Sequence, residues 1–289
     1  MSETREPGDE GPPVRIDVSG EAVYWDVPRA QTYGEYLHLD ALLGAQQPRS
    51  TERDEMLFIV VHQASELWMK LALHELTTAI GQLRRDDLLQ CFTTLTRVGH
   101  VQQQMMQAWD VLATLTPFDY ARFRNQLGRS SGFQSVQYRL LEFVIGNKNR
   151  ELIAVHRGDP AAYSVLEAAL AAPSLYDEVL QLLSRRGFEI PDDRLVRDFS
   201  EPYQAHKQVT AAWLAVYHSA ASHWDLYTLA ERLMDLDHRF QLWRFSHLKT
   251  VERIIGHKRG TGGTSGVSYL AKALELRFFP ELWSARTSL

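Results

Sequence analysis

The stretch LYTLAERLMDLDHRFQLWRFSHLKTVERIIG, residues 226–256, decides the fold class. Leu236, Phe240, Trp243, Val251 and Ile254 recur at helical steps and share one face, with His247 in the middle of the stripe. The spacing predicts one long amphipathic helix. An imidazole aimed into such an apolar wall needs a partner, and a hydrogen-bonded core histidine is the ordinary outcome. A carboxylate or a backbone carbonyl would serve. So would the iron of a haem, whose flat apolar ring suits the wall.

Outward from this segment the same 3.6-residue period continues almost everywhere. It predicts helices over 29–46, 54–84, 87–113, 117–127, 134–146, 161–171, 174–186, 195–221 and 267–276 as well. Thr116-Pro117-Phe118-Asp119 supplies an N-cap, a proline in the first turn and an acidic third position; Asp159-Pro160 and Ser174 open two later helices. The 54–84 helix is apolar over most of its circumference, which predicts burial in a bundle centre or a subunit interface. No alternating strand, repeat or interior linker interrupts the pattern. The expectation is an all-α protein: a polar, Gly- and Pro-rich disordered tail over 1–19, then a single large helical-bundle domain over 20–289.

Composition narrows the function classes. A net charge of −5 argues against nucleic acid or an anionic membrane as partner. Cys91 is the only cysteine, so no intramolecular disulfide or cysteine-rich metal site can form, which suits a reducing cytoplasm. The N-terminal MSETREPGDEGPP lacks the apolar core of a signal peptide, and no run reaches the ~18 uninterrupted apolar residues of a membrane span.

Three constellations could carry chemistry. Phe58 and His62, spaced i, i+4, offer an aromatic surface and one polar point on the same helical face. Tyr120 and Arg124 share the same spacing, and a phenol beside a guanidinium fork makes a clamp for one carboxylate. Residues 257–266, HKRGTGGTSG, form the one long glycine-rich interior segment, suited either to a flexible connector or to a strap over a ligand. Two other patterns fail. His38-Leu39-Asp40 would face apart on a helix, and Glu35-x-x-His38 lacks the second copy that a di-iron site needs.

Several long, gap-free motifs resemble the tryptophan 2,3-dioxygenase family: YGEYLHLD at 33–40, DEMLFIVVHQASELWMK at 54–70, FRNQLG at 123–128 and SGFQSVQYRLLEF at 131–143. Further matches are RFSH at 244–247, VERII at 251–255, KRGTGGTSGVSYL at 258–270 and RFFPELW at 277–283. The resemblance implies a haem b enzyme that uses O2 to open the indole ring of L-tryptophan, giving N-formylkynurenine. It implies His247 as proximal iron ligand, with Trp109, Ser131 and Gly132 as further cofactor contacts. It assigns His62 to the indole N–H, Phe58 to the indole face, Tyr120 and Arg124 to the substrate carboxylate, and Thr261 to the ammonium group. Tyr33, Tyr36 and Leu37 are then the N-terminal residues that complete a neighbouring pocket in a homotetramer. Val61, Ala64, Arg129 and His257 depart from residues common in the family. Two other activities remain compatible with the motifs: a monooxygenase converting a substituted tryptophan to an oxindole, and a non-catalytic haem sensor or oxygen carrier.

Overall fold

The computed structural model describes residues 16–23 and 31–289. Residues 1–15 of the expected tail, and 29 and 30 of the first expected helix, lie outside the described residues. The all-α expectation holds, with thirteen α-helices and no strand among the described residues. The chain divides into two compact units, Met1–Gln47 and Pro48–Leu289.

The first unit contains α1 (Tyr33–Leu37) and α2 (Leu39–Leu43). The single helix expected over 29–46 is broken at His38, whose φ of 51° is left-handed and whose N–H closes α1 on the carbonyls of Glu35 and Gly34. Thr32 and Glu35 form a reciprocal capping box at the start of α1.

The second unit is built from α3 (Arg53–Arg84), α4 (Leu88–Leu112), α5 (Pro117–Phe123), α6 (Val136–Ile145), α7 (Pro160–Ala171), α8 (Leu175–Arg185), α9 (Asp192–Leu195), α10 (Lys207–His218), α11 (Trp224–Ile255), α12 (Val267–Ala273) and α13 (Pro280–Ser288). At its centre α4 packs against both α3 and α11, while α6 and α8 cover α3 and α13 lies on α10. The α3–α4 turn is three residues long, which sets the two helices antiparallel. The stripe that opened the sequence reading faces this centre: Leu236, Phe240, Trp243 and Ile254 are buried.

Two sequence expectations change here. α3 is not buried all round, since Met56, Val60 and Leu67 are exposed while Val61, Met69, Leu76 and Leu83 pack inward. By length and composition alone α3 could cross a membrane, yet it carries buried Glu55, Glu75 and Gln82 and packs against four helices of the bundle. The helix expected over 195–221 exists only as α10; residues 196–206 are not helical. Arg197 ties that segment down in an irregular path, reaching Asp177 at 2.9 Å and the carbonyls of Asp198 and Glu201, and Pro202 disfavours helix at the residue before it.

Candidate active site

Side chains from six helices and the segments between them converge on a cavity of about 740 Å³ inside the Pro48–Leu289 unit, a size suited to a large organic ligand. α3 contributes Phe58 and His62 one turn apart, with ring centroids 4.1 Å apart. The His62 Nδ1 lies 2.7 Å from the Phe58 carbonyl oxygen. A carbonyl only accepts, so Nδ1 carries the proton and the neutral ring leaves Nε2 as an acceptor. Burial holds this imidazole below its usual pKa, outweighing the Phe58 carbonyl and Glu66, which both pull it upward.

Trp109 from α4 stands between the two histidines. Its indole meets His62 edge-on at 6.4 Å and lies flat on His247, 4.4 Å away with the planes 10° apart. Trp243, one turn before His247 on α11, completes an aromatic corner with centroids 5.6 Å from Trp109 and 5.9 Å from His247. Neither nitrogen of His247 has a hydrogen-bond partner among the described residues. Burial, reinforced by the neighbouring His62, lowers its pKa to about 4.

α5 starts as the sequence indicates: Thr116 caps it through the Asp119 N–H at 3.1 Å, and Pro117 occupies its first turn. This helix sets Tyr120 in the cavity wall, 6.1 Å from Phe58 and 5.4 Å from Phe123. Burial raises the Tyr120 pKa against the pull of the Arg124 guanidinium, so the hydroxyl remains a donor.

The glycine-rich loop lies over this wall. Arg124 Nη2 donates to the Arg259 carbonyl at 2.8 Å, and Thr261 Oγ1 donates to the Ser130 carbonyl. The loop turns on Gly263 N–H to the Gly260 carbonyl, 3.0 Å.

A family model described as tryptophan 2,3-dioxygenase matches residues 19–289. The chain belongs to the tryptophan 2,3-dioxygenase family. Among its relatives is a tryptophan 2,3-dioxygenase of Bacillus cereus, 53% identical over 269 residues, which are 93% of this chain and 96% of that one. One from Burkholderia pseudomallei is 55% identical over 264 residues, 91% of this chain and 86% of the relative. One from Polaromonas naphthalenivorans is 53% identical over 272 residues, 94% and 96% of the two chains.

Of the residues singled out by resemblance to tryptophan 2,3-dioxygenases, Phe58, His62, Trp109, Tyr120, Ser131, Gly132, His247 and Thr261 line this one cavity. Arg124 stands outside the lining, with its guanidinium on the loop and its Nε buried without a partner. Tyr33, Tyr36 and Leu37 lie on α1 in the first unit and are exposed there. Sequence reasoning missed Tyr138, Arg139, Glu142 and Arg244, which also line the cavity. Arg139 and Glu142 are an i, i+3 pair on α6, a signal present in the sequence but indistinguishable there from a surface ion pair.

Proposed function

We propose that this chain is a haem-dependent tryptophan 2,3-dioxygenase that adds both atoms of O2 across the indole C2–C3 bond of L-tryptophan, giving N-formylkynurenine. The observation that carries this reading is His247: an imidazole without a hydrogen-bond partner in the wall of a large, mainly apolar cavity that also holds His62. An unprotonated ring nitrogen facing a cavity, with no protein group on it, is a good metal ligand. Among the described residues no three His, Cys, Asp or Glu side chains converge, so a macrocycle would have to complete a metal's coordination here. Haem b, bound through His247 with Trp109, Ser131 and Gly132 beside it, would supply the redox chemistry that activates dioxygen.

The side chains do the rest by binding and orientation. Nε2 of neutral His62 accepts the indole N–H, and Phe58 gives the indole an apolar face. The Tyr120 hydroxyl and the Arg124 fork hold the substrate carboxylate, and Thr261 takes the ammonium group. None of them acts as a nucleophile, so His62 positions the substrate. In a homotetramer the exposed Tyr33, Tyr36 and Leu37 of α1 would complete a neighbour's pocket, and the exposed Met56, Val60 and Leu67 of α3 offer apolar surface to a subunit contact. A cytoplasmic setting suits the single buried, free Cys91.

Aerobic turnover of reduced, haem-loaded protein with L-tryptophan under ¹⁸O₂ tests the reading by product mass. Two heavy oxygen atoms in N-formylkynurenine are expected. One heavy atom in a hydroxylated or oxindole product would make the chain a monooxygenase, and a stable oxygen complex without product would make it a carrier or sensor.

A further inference from the structure

The two segments that meet over one end of the cavity carry charge of a single sign. Residues 120–135 and 256–270 hold Arg122, Arg124, Arg129, Lys258 and Arg259 and no Asp or Glu, in a chain whose net charge is −5. The segments are joined at the wall. Arg124 Nη2 donates to the Arg259 carbonyl at 2.8 Å, and Thr261 Oγ1 donates to the carbonyl of Ser130, the residue after Arg129. Ser130, Gly260 and Thr261 line the cavity, so Arg129, Lys258 and Arg259 stand at its edge, and all three are exposed.

Little opposes them. Glu52 takes Arg122 at 2.7 Å, and Lys249 takes Glu252, the carboxylate that precedes the loop, at 2.8 Å. Arg129, Lys258 and Arg259 have no ion pair among the described residues. One exposed lysine or arginine is ordinarily a solvated surface charge. Three unpaired cations at one cavity mouth raise the local potential, and low-dielectric walls focus it on whatever enters.

L-Tryptophan is a zwitterion, so such a rim turns its carboxylate toward the loop but gains little net attraction. An indole that keeps the carboxylate and lacks the amine gains all of it. We infer that Arg129, Lys258 and Arg259 form a recruiting rim, and that it extends the ligands of this site to monoanionic indole acids such as indole-3-propionate. This rests on the indole-binding reading proposed above. The rim acts at a distance, separately from the contacts of Tyr120 and Arg124. Salt screens exposed charges, whereas bonds inside a water-poor cavity are screened far less. A unit charge roughly 10 Å from a ligand contributes about a factor of two in water before screening, and more beside a low-dielectric wall.

The test is equilibrium dialysis of the full-length, haem-loaded protein against indole-3-propionate, its neutral amide and L-tryptophan at neutral pH. Salt is set at about 10 mM and about 150 mM, between which the Debye length falls from about 30 Å to about 8 Å. Wild type should bind the acid about three- to tenfold tighter at the lower salt, with the amide unmoved. R129Q/K258Q/R259Q, checked for folding by circular dichroism, should lose that response and still bind the acid at the higher salt within about threefold of wild type. Equal binding of the acid at both salts in wild type overturns the rim, and this arm needs no variant. So does an intact salt response in the folded variant, or an acid that fails to bind where L-tryptophan binds. Equal loss of acid affinity at both salts in the variant makes the three residues direct contacts and overturns recruitment at a distance. Failure of L-tryptophan itself to bind overturns the indole-binding reading, and the rim with it.

Discussion

Trp109 lies flat against His247, with ring centroids 4.4 Å apart and planes 10° from parallel. The contact joins α4 to α11 and fixes the plane of an imidazole that has no hydrogen bond to orient it. Histidines that serve metals commonly use their second nitrogen for such a bond. Here an aromatic face takes over the orienting role, with Trp243 as the second side of the corner.

This arrangement separates two variants that both strip the same corner. H247A should abolish stable haem uptake and the ferric absorption band. W109L should keep a weakened band, since the ligand survives while its orientation loosens, and should destabilise the fold by about 2–4 kcal/mol through the cavity it leaves. Haem titration and urea unfolding of the two proteins check both statements; a normal band in H247A would remove the ligand assignment.

The His62 tautomer predicts an acid limb in the activity profile. Nε2 accepts the indole N–H only while the ring is neutral, and protonation turns that acceptor into a donor. Burial lowers the pKa from 6.5, so activity should persist at pH 6.5 and fall only below it. The log kcat/KM profile of wild-type enzyme should bend in that range, and H62A should lose the bend along with part of the rate. A bend of the same size and position in H62A would assign it to another group.

Arg124 is expected to serve carboxylate and loop together, because its Nη2 already holds the Arg259 carbonyl. R124A should lower kcat/KM for L-tryptophan by roughly ten- to a hundredfold, about 1.5–3 kcal/mol for charge-assisted bonds. R124K should recover little, since an ammonium group lacks the fork. Tryptamine, which has no carboxylate, should lose much less than L-tryptophan does between wild type and R124A, the remaining loss reporting the loop contact. A wild-type advantage for tryptamine as large as for L-tryptophan would dissolve the carboxylate role.

The helical architecture was readable because burial in this bundle follows the heptad-like spacing of residues such as Leu236, Phe240 and Trp243. What escaped depends on distant partners. Residues 196–206 carry helix-like periodicity, but Arg197 is tied to Asp177 on α8 and holds them out of a helix. α13 was missed because its buried anchor is a carboxylate: Glu281 accepts from the hydroxyls of Tyr176 and Tyr203 and from the His206 N–H. The candidate site was legible in parts. Phe58/His62 and Tyr120/Arg124 announce themselves by i, i+4 spacing, whereas Arg139 and Arg244 are 105 positions apart and meet only through Glu142.

Gly262 gives the sharpest test of how the loop is seated. Its backbone avoids the left-handed region, so alanine meets no conformational penalty there. The obstacle is contact: a Cβ at Gly262 would lie 2.7 Å from the Ser131 Cβ and 2.8 Å from its Oγ. G262A should therefore lift the loop and draw Thr261 from the Ser130 carbonyl, with the haem spectrum unchanged. Overpacking costs of about 1–3 kcal/mol correspond to a KM for L-tryptophan raised roughly ten- to a hundredfold. S131A would not relieve the clash, because it keeps the Cβ. S131G removes both obstructing atoms, although it also removes the cap on the Phe133 N–H and so sets its own lower baseline. Adding G262A to S131G should then cost almost nothing further, a coupling that a double-mutant cycle measures directly. If G262A is as harmful on the S131G background as on wild type, the Gly262–Ser131 contact is not what seats the loop.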